Sequence, residues 1–119
     1  MTAHTAPTLD VEALRTASDS IEALAAVLGD DVEWIEIDQR SQPQAPAIYR
    51  GRDAVLAMIN EAHERGIESR VTDGFAAGER AAMTVTCTYP SGGRVVCNTL
   101  ADVRDGKITR WFSVQAWDD

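Results

Sequence analysis

From Arg94 to Trp117 the chain reads "RVVCNTLADVRDGKITRWFSVQAW", two runs rich in β-branched and aromatic residues joined by Asp105-Gly106. An Asp-Gly pair supplies the two positive-φ positions of a type I′ turn, so this stretch dictates a tight antiparallel hairpin. "RAAMTVTCTYP" alternates just before it and adds a third strand. The turn sets the register. Arg104 should face Lys107, so that Asp102 faces Thr109, Leu100 faces Trp111 and Asn98 faces Ser113. With Tyr89 opposite Arg94 across "PSGG", Cys87 neighbours Val96 and Val85 neighbours Asn98. One face then collects Met83, Val85, Cys87, Tyr89, Val96, Asn98, Leu100, Asp102, Trp111, Ser113, Gln115 and Trp117. The other collects Val95, Cys97, Thr99, Ala101, Val103, Ile108, Phe112, Val114 and Ala116, with Arg110 the exception. A sheet apolar on both faces must be covered on both. Helices are expected to shelter the mixed face around a pocket. A second copy of the chain is expected on the outer face, through Val95, Cys97, Phe112 and Val114.

The helices come earlier. Val11 and Leu14 form a short apolar stripe, and Ile21, Leu24, Ala25 and Leu28 a clearer one, with Ser18 or Ser20 as cap and Gly29 as stop. "RDAVLAMINEAHERG" is a third helix, starting near Asp53 and stopping at Gly66. Between them "DDVEWIEIDQR" reads as a strand, and "QRSQPQAPAIYRG", with two prolines and no period, as a loop. Helices, strand, helix and then an antiparallel meander give an α+β fold, an antiparallel sheet packed on about three helices. At 119 residues the chain forms one domain, expected over 9–119 behind a disordered leader, 1–8.

A net charge of −8 argues against nucleic acid and anionic membranes, which want a basic footprint. No apolar run is long enough to span a bilayer, and "MTAHTAPTLD" lacks the basic start and hydrophobic stretch of a signal peptide. Cys87 and Cys97 read as two buried thiols rather than a disulfide or a metal pair, which fits a reducing cytoplasm. No metal-ligand constellation is present, nor a glycine-rich phosphate loop, and no cofactor is expected.

Alternation in "DDVEWIEIDQR" puts Val32, Trp34, Glu36 and Asp38 on one side. A carboxylate beside an indole in a cavity has a raised pKa and suits a general acid or base role. The competing reading is a frayed strand with both acids solvated. Asn98 and Ser113 could position water or hold a substrate oxygen, or simply satisfy each other. Trp34, Trp111 and Trp117 would make a flat-walled site for a ring, or ordinary core. Tyr89 and Gln115 carry the same ambiguity, and His63 borders the apolar stripe of the third helix.

Taken together, "ALAAVLGDDVEW", "YRGRDAVLAMI", "GERAAMTV" and "VRDGKITRW" resemble the nuclear transport factor 2-like superfamily, which includes SnoaL-like polyketide cyclases, ketosteroid isomerases and limonene epoxide hydrolases. The resemblance implies a cone-like α+β fold, a deep apolar pocket and commonly a homodimer. Glu36 falls where the isomerases have their proton-shuttling aspartate and at a functional position of the epoxide hydrolases. The isomerase oxyanion acid falls on Leu100, and its helix tyrosine near Glu12. The hydrolase arginine and aspartate fall on Val85 and Cys87, and its last-strand aspartate on Ser113. The expected activity is that of a cofactor-free acid–base enzyme of isomerase, cyclase or hydrolase type, acting on a small, mainly apolar carbonyl or epoxide. Glu36, Asn98 and Ser113 would do the chemistry. Trp34, Asp38, Val85, Cys87, Tyr89, Leu100, Trp111 and Gln115 would line the site. The alternative is a non-catalytic dimeric module that binds a small apolar molecule.

Overall fold

A computed structural model describes residues 11–17 and 20–118; the expected leader and Ser18 lie outside the described residues. Two short helices, α1 (Val11–Ala17) and α2 (Ile21–Val27), each bury their apolar stripe, with Leu14, Ala17 and Leu24 inward. Ser20 caps α2, its hydroxyl accepting from the Ala23 N–H at 3.0 Å, which satisfies one of the four donors that a helix start leaves unpaired. The stop expected at Gly29 comes earlier. Leu28 is already extended and opens β1 (Leu28–Ile37). Gly29 instead permits a close strand approach, since a Cβ there would sit 3.2 Å from the Ile108 carbonyl oxygen.

The segment read as pure loop contains a strand, β2 (Ala47–Arg50), which pairs antiparallel with β1 and sets Tyr49 opposite Trp34. Four residues beside two prolines carry too little alternation to announce themselves. The third helix, α3 (Arg52–Glu64), is followed by its expected stop, Gly66, whose φ of +79° suits glycine. Four strands follow: β3 (Glu68–Ala77), β4 (Arg80–Thr88), β5 (Arg94–Arg104) and β6 (Lys107–Trp117). They complete a six-stranded sheet in the order β2-β1-β6-β5-β4-β3. The fold is α+β with a curved, unclosed sheet. That sheet is mixed rather than wholly antiparallel, because β1 runs parallel to β6.

The hairpin turn falls at Asp105-Gly106, both at positive φ, and Arg104 faces Lys107. Beyond Val103↔Ile108, however, the next pair is Asp102↔Arg110, so Thr109 is the extra residue of a β-bulge. The β4–β5 turn is also one residue longer than "PSGG", with the Tyr89 N–H bonded to the Gly93 carbonyl at 2.9 Å and Thr88 facing Arg94. Each slip rotates β5 relative to one neighbour, so β5, together with Ile108 ahead of the bulge in β6, shows the opposite face to that expected. Cys97 pairs with Val85, Thr99 with Met83 and Ser113, and Ala101 with Trp111.

Val95, Cys97, Thr99 and Ala101 are therefore buried beneath the helices, joining Leu28, Val32, Val55 and Ile108, which are fully buried in the core. Val96, Asn98 and Leu100 face outward with Phe112 and Val114. This corrects the expected outer patch. Phe112 and Val114 belong to it, whereas Val95 and Cys97 do not. Phe75, Val96, Leu100 and Val114 are large hydrophobic residues left exposed there, beside a trough of about 400 Å³. No helix among the described residues is long and apolar enough to cross a membrane.

Candidate functional site

Between the sheet and the helices lies a cavity of about 330 Å³. Its wall is built by strand alternation. Trp34, Glu36 and Asp38 come from β1 and the residue after it, Tyr49 from β2, and Trp111, Ser113, Gln115 and Trp117 from β6. In register, Trp34 lies between Tyr49 and Trp111, and Glu36 lies beside Ser113. The Trp34 and Trp111 rings stack with centroids 4.3 Å apart and planes 6° from parallel. That stack fixes the first indole, and its N–H donates to Glu36 Oε1 at 2.8 Å.

Burial pushes the Glu36 carboxyl up from its ordinary value. The indole N–H opposes this by stabilising the anion, nearby Asp38 adds to the rise, and the Gln115 amide opposes it. Desolvation wins. Gln115 is itself fixed, its Oε1 accepting from the Trp117 indole at 3.0 Å, and Trp117 leans on Tyr89 with ring centroids 5.6 Å apart. Asp38 has a structural task, its Oδ1 accepting from the Arg40 and Ser41 N–H groups at 2.8 and 2.7 Å and so holding the turn that leaves β1.

Val85, Cys87 and Tyr89 also line the cavity. Both cysteines are free. A hydrogen bond from Cys97 lowers the Cys87 thiol to about 7 against the effect of burial, and Ser69 Oγ lies 3.3 Å from its sulfur. Cys97, the donor in that pair, is pushed up and stays protonated.

Two expected site residues lie elsewhere. Asn98 and Leu100 sit on the outer face because of the two register slips; Asn98 Oδ1 accepts there from the Thr84 hydroxyl at 3.3 Å. The pairing expected of Asn98 with Ser113 belongs instead to Thr99, buried on the cavity side. Its Oγ1 has no hydrogen-bond partner among the described residues. An unmet buried hydroxyl costs about 1–3 kcal/mol, so a polar group in the floor of a cavity invites a ligand atom or water. Thr99 was hidden by the bulge, although the lone Arg110 on an otherwise apolar face was a sign of it. Tyr49 was hidden by the missed strand. His63 and Trp117 both line the cavity. Among the described residues no group of three or more His, Cys, Asp or Glu side chains is placed to hold a metal ion.

Residues 11–111 match the SnoaL-like domain family. Among solved structures, a candidate ketosteroid isomerase from Kribbella flavida DSM 17836 is 25% identical, over 91% of this chain and 79% of that one, with a TM-score of 0.67. An NTF2-like protein of unknown function from Mesorhizobium loti is 21% identical, over 88% of each chain, with a TM-score of 0.72. An epoxide hydrolase from M. tuberculosis, of the LEH-like type, is 20% identical, over 89% of this chain and 79% of that one, with a TM-score of 0.69. No curated protein matches significantly. The last two likenesses speak to fold alone. With the family match spanning most of the chain, this protein belongs to the SnoaL-like domain family and has the NTF2-like fold.

Proposed function

We propose that this protein is an acid–base enzyme of the isomerase, cyclase or hydrolase type, acting on a small, mainly apolar carbonyl or epoxide. One observation carries the reading. Glu36 is a desolvated carboxyl on the wall of a cavity, oriented by the Trp34 indole at 2.8 Å and set beside Ser113. A raised carboxyl pKa brings a base nearer the working pH, where proton transfer in both directions is efficient. Glu36 takes a proton from the carbon next to a carbonyl, the electron pair moves to the oxygen, and the protonated acid returns the proton at another position. Ser113 and Thr99 supply hydroxyls for that oxygen, Thr99 in the part first expected of Asn98. Trp34 and Trp111 form a flat wall for a ring. Membership of the SnoaL-like family and the likeness to the candidate ketosteroid isomerase support this class of chemistry.

The same reading includes a homodimer through the outer sheet face, which would cover Val96, Leu100, Phe112 and Val114. It also places the chain in the cytoplasm, consistent with two free thiols.

The test is deuterium uptake. Cyclic ketones incubated with the protein in D₂O should exchange their α-hydrogens faster than with buffer alone. Glu36→Gln should lower that rate by about 10²–10⁴-fold, the usual contribution of a general base. A variant that folds and still exchanges at the full rate removes Glu36 from the chemistry. Ketones that bind without exchanging favour the non-catalytic binding module.

A further inference from the structure

All three tryptophans and both tyrosines line the cavity, whereas Phe75 and Phe112 border the trough on the outer face. Among the described residues, the inner aromatics share their cavity with the carboxylates of Glu36, Asp38 and Glu61, against the guanidinium of Arg65. His63 also lies in the lining. Glu36, Asp38 and Glu61 all act on the Tyr49 hydroxyl, reinforcing the rise caused by burial, whereas at Tyr89 the effect of Glu36 is opposed by Arg65. One end is therefore acidic and aromatic. Elsewhere in the lining, the Thr99 hydroxyl is buried without a partner.

We propose that the cavity takes a ligand with an apolar ring body and a protonated amine, the nitrogen lying at the Tyr49 end among Glu36, Asp38 and Glu61. Glu36 is partly desolvated, a setting in which a carboxylate attracts a cation more strongly than in bulk water, and the more exposed Glu61 adds its charge. Electron-rich ring faces favour an ammonium group too. The assignment rests on the reading of this cavity as the ligand site, and it removes a difficulty in that reading. Building an oxyanion among three carboxylates is unfavourable, and a positive charge on the ligand offsets them. An anionic substrate, by contrast, meets repulsion at this end.

Three probes of one shape decide the matter: cyclohexylmethylammonium, cyclohexylmethanol and cyclohexanecarboxylate, each titrated calorimetrically at two salt concentrations. The ammonium should bind at least tenfold more tightly than the alcohol, with the carboxylate weakest. Glu61→Gln should cut the preference at least threefold, whereas Glu79→Gln, an equal loss of charge at a likewise exposed position outside the cavity lining, should leave it. Equal binding of carboxylate and ammonium overturns the proposal. So does an equal effect of the two substitutions, which would indicate attraction to net charge alone. Ammonium preference together with absent deuterium exchange defeats only the enzyme reading, and no binding by any probe defeats the ligand assignment.

Discussion

Replacing Glu36 with Gln should make the protein more stable, and increasingly so as the pH rises. The native carboxyl is raised above 4.5, chiefly by burial. A carboxyl raised on folding contributes stability that is fully present below its unfolded value and is lost as the pH climbs through its folded value. Glutamine imitates the protonated acid, so it keeps that contribution at every pH. It also keeps an oxygen to accept from the Trp34 indole at 2.8 Å. Some strength is given up there, because a hydrogen bond to a charged group contributes about 1.5–3 kcal/mol and a neutral one about 0.5–1.5 kcal/mol. The rise in pKa already includes that opposing effect, so the balance still favours the neutral side chain. Every unit of rise corresponds to about 1.4 kcal/mol, and in a domain of this size 1 kcal/mol moves Tm by roughly 3–6 °C. Thermal unfolding of both proteins, followed by circular dichroism from pH 4 to pH 8, measures the difference directly. The two should nearly coincide at pH 4 and separate above it, with the variant higher. A variant that melts lower than the parent at pH 8, or a gap that does not change with pH, refutes the reasoning.

Two further substitutions probe the frame that holds the site. Leu28 is fully buried at the junction of α2 and β1, so Leu28→Ala should cost about 2–5 kcal/mol in urea unfolding; a loss below 0.5 kcal/mol would mean that the junction is loosely packed. Gly74 lies where an added Cβ would come within 2.7 Å of the Ala82 carbonyl oxygen and 2.9 Å of the Met83 Cβ. Gly74→Ala should therefore cost about 1–3 kcal/mol by forcing β3 away from β4, and an unchanged Tm would show that β3 yields freely.

Much of this arrangement was legible in the residues themselves. The Asp105-Gly106 turn, the Ser20 cap, the Gly66 stop and the cavity-side placement of Trp34, Glu36, Trp111, Ser113 and Gln115 all follow from local chemistry and period-two alternation. What escaped was the facing of one strand. A bulge adds a residue without any obligatory signature, and Thr109 is an ordinary strand residue. The longer turn at Tyr89–Gly93 made an equal slip on the other side of β5. The two slips agreed with each other, so β4 and the part of β6 beyond the bulge retained their expected faces, while Ile108 turned inward and Asn98 and Leu100 exchanged places with Cys97 and Thr99. Tyr49 escaped for a different reason. A strand of four residues owes its structure to the β1 edge that it pairs with, and that edge is not visible in "AIYR" alone.

The most direct measurement is a carbon-detected NMR titration of the Glu36 side-chain carboxyl, assigned by its disappearance in Glu36→Gln. A midpoint clearly above 4.5, moving further from solvent-exposed glutamates in the same spectrum, is the expected result. A midpoint at or below that value would mean a solvated or strongly stabilised anion. Glu36 would then be no better placed to carry a proton than any carboxylate on the surface.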